Sequence, residues 1–261
     1  MRLRATLQQP LRYLTTPTSL QSFLHTSSRP TLTQFATPLH SCSRTHTRSF
    51  SNTTANMTSS STFFEAVKAR RTIYQLSSES PVPDSKIKEI VKEAVLHVPS
   101  SFNSQSTRVV VLLGDEHKKL WGDIVKPAVK AVAPQEAWPA SEQRLSGFQA
   151  AYGTVLFYEE PKVVAGLQQK FPLYADKFPQ WSEHTNAMHQ YTIWTALEQE
   201  GFGANLQHYN PLIDEKIAAT WNVPLTWSLK AQLVFGKPAG KPMEKTFQPL
   251  EERLFIHGAK E

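Results

Sequence analysis

The feature that most constrains this chain is a segment from which acidic residues are missing. Residues 1–56 hold six arginines and no lysine, aspartate or glutamate. A polar stretch with so little to bury cannot build a core, so the foldable part of the chain begins after it. Arg2, Arg4 and Arg12 alternate with Leu3, Leu7, Leu11, Tyr13 and Leu14, which patterns a short basic amphipathic helix. Arginine, serine and threonine without acids is the composition of a mitochondrial transit peptide, although an unstructured tail would share it. Arg48-Ser49-Phe50-Ser51 has the form of a matrix-protease site cut after Phe50, and a start at Met57 would instead leave a cytoplasmic form.

This division changes the meaning of the net charge. The whole chain carries 28 basic and 22 acidic residues, but six of the basic ones lie in the leader, so residues 57–261 carry 22 of each. A balanced domain lacks the electrostatic footprint of a nucleic-acid or membrane-surface binder. The single cysteine, Cys42, is also in the leader, which removes disulfides, thiolate catalysis and cysteine metal sites from the domain. No apolar run approaches the roughly 20 residues that span a bilayer, so one soluble globular domain over 57–261 is expected, without membrane insertion.

Periodicity supplies the elements. Phe63, Phe64 and Val67 pattern a short helix that runs into Arg70-Arg71-Thr72. Beyond Pro81-Val82-Pro83, a second helix capped by Asp84 or Ser85 carries Ile87, Ile90, Val91, Ala94 and Val95 and stops before Pro99. Thr107 to Leu113 is a β-branched run closed by Gly114, which reads as a buried strand. Helical patterns follow over 116–132, interrupted at Pro127, and over 141–151, before a second strand at 154–158. The longest helical pattern, Ser182 to Glu200, ends at Gly201 and Gly203. A short helix over 213–221 and a strand over 229–235 complete the series. Strands scattered among unequal numbers of helices define an α+β layered domain. Gly-x-Gly-x-x-Gly and P-loop fingerprints are absent, so a nucleotide cofactor would have to be held in another way.

Three separated segments are rich in groups that recognise a polar cofactor. Ala69-Arg70-Arg71-Thr72-Ile73-Tyr74 sets two cations and a hydroxyl at a helix end, able to clamp a phosphate or simply to be solvated. Val98-Pro99-Ser100-Ser101-Phe102-Asn103-Ser104-Gln105-Ser106 is a loop dense in hydroxyls and amides, a connector or a binder of a heterocycle's polar edge. Gly201-Phe202-Gly203-Ala204-Asn205-Leu206-Gln207-His208-Tyr209-Asn210 is extended and opened by glycine.

In this order and spacing, the three together resemble the nitroreductase family, whose members open on an Arg-Arg-Ser type motif and continue with Pro-Ser-Ser-x-Asn-x-Gln before a strand. The resemblance covers essentially all of the domain from Phe63 onward. It is closest to a fungal and bacterial subgroup with Gly-Ala-Asn-Leu-Gln-His-Tyr-Asn and Lys-Pro-x-Glu-Lys-Thr-Phe, a subgroup linked to stress and lipid-response phenotypes. It implies a central mixed β-sheet flanked by helices, a homodimer, and FMN held non-covalently at the subunit interface.

The resemblance also implies roles. Arg70, Arg71 and Thr72 would take the phosphate and ribityl end, with Lys245 reaching the same phosphate. Pro99, Ser100 and Ser101, with Asn103 and Gln105 supplied across the interface, would contact the ring and ribityl chain. Leu206, Gln207, His208 and Tyr209 fall where family backbone amides meet the reactive flavin nitrogen, so Gln207 and His208 are the catalytic candidates. Two departures stand out: Phe247 replaces a second C-terminal cation, and Tyr74 replaces a Lys found near the flavin pyrimidine in some relatives.

His184 and His189 are five apart, which suits no single helix face, so with His208 they read as ordinary histidines before metal ligands. Trp181, Tyr191 and Trp194 could line a pocket or simply pack in a core. Two functions follow from the resemblance. One is reduction of a small electrophile, such as a nitroaromatic or quinone, by NADH or NADPH in ping-pong fashion. The other is a flavin-binding regulator of lipid or redox stress with incidental turnover.

Overall fold

A computed structural model describes residues 59–260; the leader, Met57 and the proposed cleavage site lie outside the described residues. The element that organises the rest is the long strand β5. It is apolar over Ala231–Phe235 except for Gln232, and so can be buried on both faces.

In chain order the elements are α1 (Ser59–Ala69), β1 (Leu76–Ser77), α2 (Asp84–His97), β2 (Thr107–Leu113) and α3 (Gly114–Lys119). A π-helical stretch, Leu120–Val125, leads into α4 (Lys126–Val132), followed by α5 (Trp138–Gln149), β3 (Gly153–Glu159) and α6 (Pro161–Lys170). The series closes with α7 (Phe178–Gln199), β4 (Gly203–Gln207), α8 (Asp214–Trp221) and β5 (Ser228–Pro238). Beyond β5 the chain has little regular structure and is almost wholly exposed.

β5 pairs with β3 along one edge and with β4 along the other, while β1 pairs with its last residues and β2 extends the sheet beyond β3. All four ladders are antiparallel. The mixed sheet expected from sequence is therefore corrected, parallel pairing among the described residues being confined to one bridge between Thr72 and Ala204.

The two sheet faces bury two separate cores. Val155 and Phe157 pack with Ile87, Ile193 and Leu197 beneath α2 and α7. Leu156 and Tyr158 pack on the other face with Trp121 and Phe148. The alternation is the period of two of a strand covered on both sides. A register shift between Phe157 and Tyr158 makes Ala231 oppose Phe157 and Leu229 oppose Tyr158. Lys230 is thus the extra residue of a bulge, and the parity of β5 reverses: Leu229 joins one core, and Ala231, Leu233 and Phe235 join the other.

Two local expectations are revised. The residue capping α2 is Pro83, and neither Asp84 nor Ser85 caps it; Asp84 instead accepts a hydrogen bond from the Tyr152 hydroxyl. The helical pattern before Val132 is not broken at Pro127. Over Leu120–Val125 the pairing slips, so that the Lys126 amide donates to the Trp121 carbonyl. Pro127, which has no N–H to give, then falls in the first turn of α4, where none is needed.

Candidate functional site

The first and third motifs meet because α1 ends beside β4. The Ile73 amide donates to the Ala204 carbonyl at 2.9 Å, and Asn205 Nδ2 donates to the Ile73 carbonyl at 2.9 Å. Asn205 is fully buried and also accepts from Gln207 Nε2 at 2.8 Å, so one side chain ties the first motif to the end of β4. Beneath them Gln232, equally buried, accepts from the Tyr209 amide at 2.8 Å and donates to Asn210 Oδ1 at 3.2 Å. An amide in an apolar strand is a sequence signal, because burial without partners would cost on the order of 1–3 kcal/mol. Here it shapes the turn after β4.

α7 supplies a further support that sequence reasoning missed. Both oxygens of Glu198 accept from the Arg71 amide, at 2.9 and 2.8 Å. Burial pushes this carboxyl up to about 7, opposed by the Arg71 amide and by the charges of Arg70 and Arg71. Trp194 and Tyr191, one and two turns earlier, lie under Arg70, whose guanidinium carbon is 4.5 Å from the Trp194 ring centre and 5.9 Å from that of Tyr191. Both rings thus pack against an arginine. The Arg71 guanidinium donates to the Met243 carbonyl, which draws the C-terminal segment over the motif.

The result is a cavity of about 300 Å³ lined by Arg70, Arg71, Thr72, Tyr74, Glu244 and Lys245. Four of the residues expected to hold a phosphate therefore converge. Three cations face one carboxylate, and Arg70 Nε is buried without a hydrogen-bond partner. This donor set fits a phosphate monoester such as that of FMN. Phe247 stands 5.1 Å beneath the Lys245 ammonium, so the residue that replaces the second cation carries the first.

Tyr74 also lines a second cavity of about 470 Å³, whose other walls are Gln207, Phe148 and the α5 residues Gln143, Arg144 and Gly147. Gln207 lies in this cavity, with Leu206 preceding it on β4. His208 is exposed beyond the strand end and is not among the lining residues.

The second motif lies elsewhere in the chain. Ser100 and Gln105 line a third cavity, of about 560 Å³, with Arg108 and the apolar face of α2. Pro99 lines a groove between α2 and α7. Phe102, Asn103 and Gln105 all have positive φ, at 55°, 50° and 49°. Such a loop persists only where its surroundings enforce it, and here Phe102 packs at 4.8 Å on Phe171 and 5.3 Å on Phe178, with Trp181 stacked at 6.0 Å. Within one chain, Pro99, Ser100, Ser101, Asn103 and Gln105 do not line the cavity of Arg70. His189 is buried, its Nδ1 2.9 Å from the Thr185 carbonyl oxygen.

An antiparallel sheet covered by helices on both faces, with a cationic cavity between the segment after α1 and the C-terminal segment, is a frame suited to an enzyme that holds an anionic cofactor. The family model described as "Nitroreductase family" matches residues 67–237, and the chain belongs to that family of oxidoreductase enzymes. It is 37% identical over 193 residues to the nitroreductase FRM2 of Saccharomyces cerevisiae, a match that covers 73% of this chain and 95% of FRM2. Among solved structures, the nitroreductase CinD of Lactococcus lactis in complex with nicotinic acid is 47% identical with a TM-score of 0.70, covering 76% of this chain and all of CinD. CinD is also known in complex with chloramphenicol and with 4-nitrophenol. A more distant protein of Desulfovibrio desulfuricans, in complex with FMN, shares the fold at 18% identity and a TM-score of 0.53, covering 76% of this chain and 97% of its own. No helix among the described residues is long and apolar enough to cross a membrane.

Proposed function

We propose that this oxidoreductase holds FMN non-covalently and uses it to reduce nitroaromatics, quinones or similar electrophiles with NADH or NADPH. The observation that carries the proposal is the convergence of Arg70, Arg71, Thr72 and Lys245 on one cavity that adjoins, through Tyr74, the cavity of Gln207. Bound FMN would supply two-electron transfer, chemistry for which the protein need provide no nucleophile of its own.

The chain's residues would bind and orient. Arg70 and Arg71 would take phosphate oxygens, with Glu198 and the ring of Trp194 fixing their direction. Thr72 and Lys245 would close the same end. The β4 backbone from Leu206, held by Asn205 and Gln232, would present an amide to the ring, and Gln207 would form the wall above it. His208, exposed next to Gln207 beyond the strand end, would exchange a proton with solvent and with a departing product. One open cavity would then serve donor and acceptor in turn, which implies ping-pong kinetics.

The remaining contacts would come from a second copy of the chain. Pro99, Ser100, Ser101, Asn103 and Gln105 lie away from the arginines, and the exposed C-terminal segment carries Phe247, Phe255 and Ile256, at 76, 72 and 69% exposure. A homodimer accounts for both features. The acid-free leader further supports import into the mitochondrial matrix, with a cytoplasmic form from Met57.

The test is direct. Purified protein should be yellow and release one FMN per chain on denaturation, and double-reciprocal plots at several acceptor concentrations should be parallel. Colourless protein that takes up no FMN would overturn the reading, and intersecting lines would overturn the shared cavity.

A further inference from the structure

The cavity of Gln207 and Tyr74 has a charge that the binding of a phosphate leaves unused. Arg144, on α5, is the charged residue of its lining, and no carboxylate lines it. Among the described residues Arg144 has no ion-pair or hydrogen-bond partner, although exposed lysines elsewhere on the surface, Lys68, Lys118 and Lys237, each find an acid.

Its position on α5 is fixed. Leu145 and Phe148, the buried residues of that helix, hold one face against the core, and this turns Gln143, Arg144 and Gly147 toward the cavity. Gly147 has nothing within 4 Å of where a Cβ would stand, so that wall is open. The field of Arg144 is felt behind the cavity wall: burial raises the Tyr209 phenol, and the Arg144 charge acts against that rise. Tyr209 is itself anchored by an edge-on contact with Trp121 at 5.6 Å and by the bond from its amide to Gln232.

We propose that Arg144 is the anchor for an anionic substituent of an aromatic acceptor, so that the cavity favours carboxylate-bearing or phenolate aromatics over neutral ones of the same shape. The inference rests on the assignment of this cavity to the acceptor. A guanidinium offers two parallel N–H donors to a carboxylate, and that geometry distinguishes a planar anion from a neutral amide. Gln143 and Gln207 flank it with amides that can bond either ligand, so the discrimination falls to Arg144.

The experiment is calorimetric titration of the protein as purified with benzoate and with benzamide, for wild type, Arg144→Gln and Arg144→Lys, alongside FMN content and melting temperature. Wild type should bind benzoate about ten-fold more tightly than benzamide, the difference expected of one charge-assisted contact. Arg144→Gln should abolish that preference with FMN content unchanged, and Arg144→Lys should retain part of it. Equal affinities in wild type, or a preference that survives in Arg144→Gln, would overturn the proposal. So would loss of FMN from Arg144→Gln, which would make the flavin the anion that Arg144 serves. Because heat reports binding without flavin, colourless protein with an Arg144-dependent preference for benzoate would sustain this site while overturning the flavin assignment.

Discussion

Glu198 stands behind the arginines that are to receive a phosphate, and its charge should set how tightly they receive it. Near pH 6 the carboxyl, raised to about 7 by burial, is mostly protonated, and Arg70 and Arg71 are free to face the cavity. Near pH 8 it is ionised and competes with the incoming anion for both. Two unit charges about 7 Å apart interact by about 2.4 kcal/mol at an effective dielectric of about 20. Solvent access and salt reduce this to roughly 1 kcal/mol, or about five-fold in affinity. Glu198→Gln keeps an oxygen for the Arg71 amide and removes the titration. Deflavinated protein titrated with FMN at pH 6 and pH 8, read by quenching of flavin fluorescence, gives a ratio of dissociation constants for each protein. That ratio should be about five times larger in wild type than in Glu198→Gln, since the phosphate's own titration is common to both. Equal ratios would refute the coupling. Stability offers a second check. The folded carboxyl holds its proton to higher pH than the unfolded value of 4.5, so the folded state binds more protons between 4.5 and about 7. Stability must then fall as pH rises through that window, and the variant should lose this slope, worth on the order of 1 kcal/mol after discounting for solvent.

Arg70→Ala should retain its fold but lose FMN on extended dialysis, with affinity down about ten-fold or more; undiminished retention would detach the first motif from the phosphate. His208→Ala should stay yellow while its acceptor preference or turnover changes, and loss of the cofactor would contradict a role confined to the acceptor. His117, buried against Thr154 and the Phe148 carbonyl, is lowered to about 4 by desolvation. The unfolded chain therefore binds more protons between about 4 and 6.5, and the domain should lose about 3 kcal/mol as pH falls through that range. A urea midpoint unchanged between pH 6.5 and pH 4 in the Glu198→Gln background would contradict it. A reporter carrying residues 1–56 should enter mitochondria; a diffuse cytosolic signal would remove the leader assignment and leave the enzyme untouched.

What could be read from the sequence was what short range decides. The run Thr107–Leu113 is β-branched and closed by a glycine, so no tertiary contact is needed to name it a strand, and β2 has those bounds. Pro127 misled because a proline's effect depends on the hydrogen bond it would have made, and the slipped pairing before α4 had already removed that bond. The mixed sheet came from a resemblance, whereas direction is set by which strand β5 meets along each edge. Arg70, Arg71 and Thr72 were legible as a cluster because they are consecutive. That Lys245 joins them was implied only by family likeness, because it lies 173 positions beyond Thr72 and nothing local announces the meeting.

The residues that sequence reasoning missed share a physical reason for being missed. Arg144 is one cation on an exposed helix face, like many others, until the fold sets that face against Gln207. Glu198 did carry a signal. It sits in the last turn of α7, where unsatisfied carbonyls make a negative charge unfavourable, and a good surface helix would have a lysine there. An acid kept at such a position needs a compensating donor, and the Arg71 amide provides it. Asn205 and Gln232 show the same logic inside the sheet: each is a polar side chain at a place where an apolar one would pack more simply, and each bonds to the chain that frames the cavity. A site built in this way has its anchors in the core and its ligand-facing groups at the surface. Substitutions at Asn205 or Gln232 should therefore appear first as a loss of stability, and those at Arg70 or Arg144 as a loss of affinity.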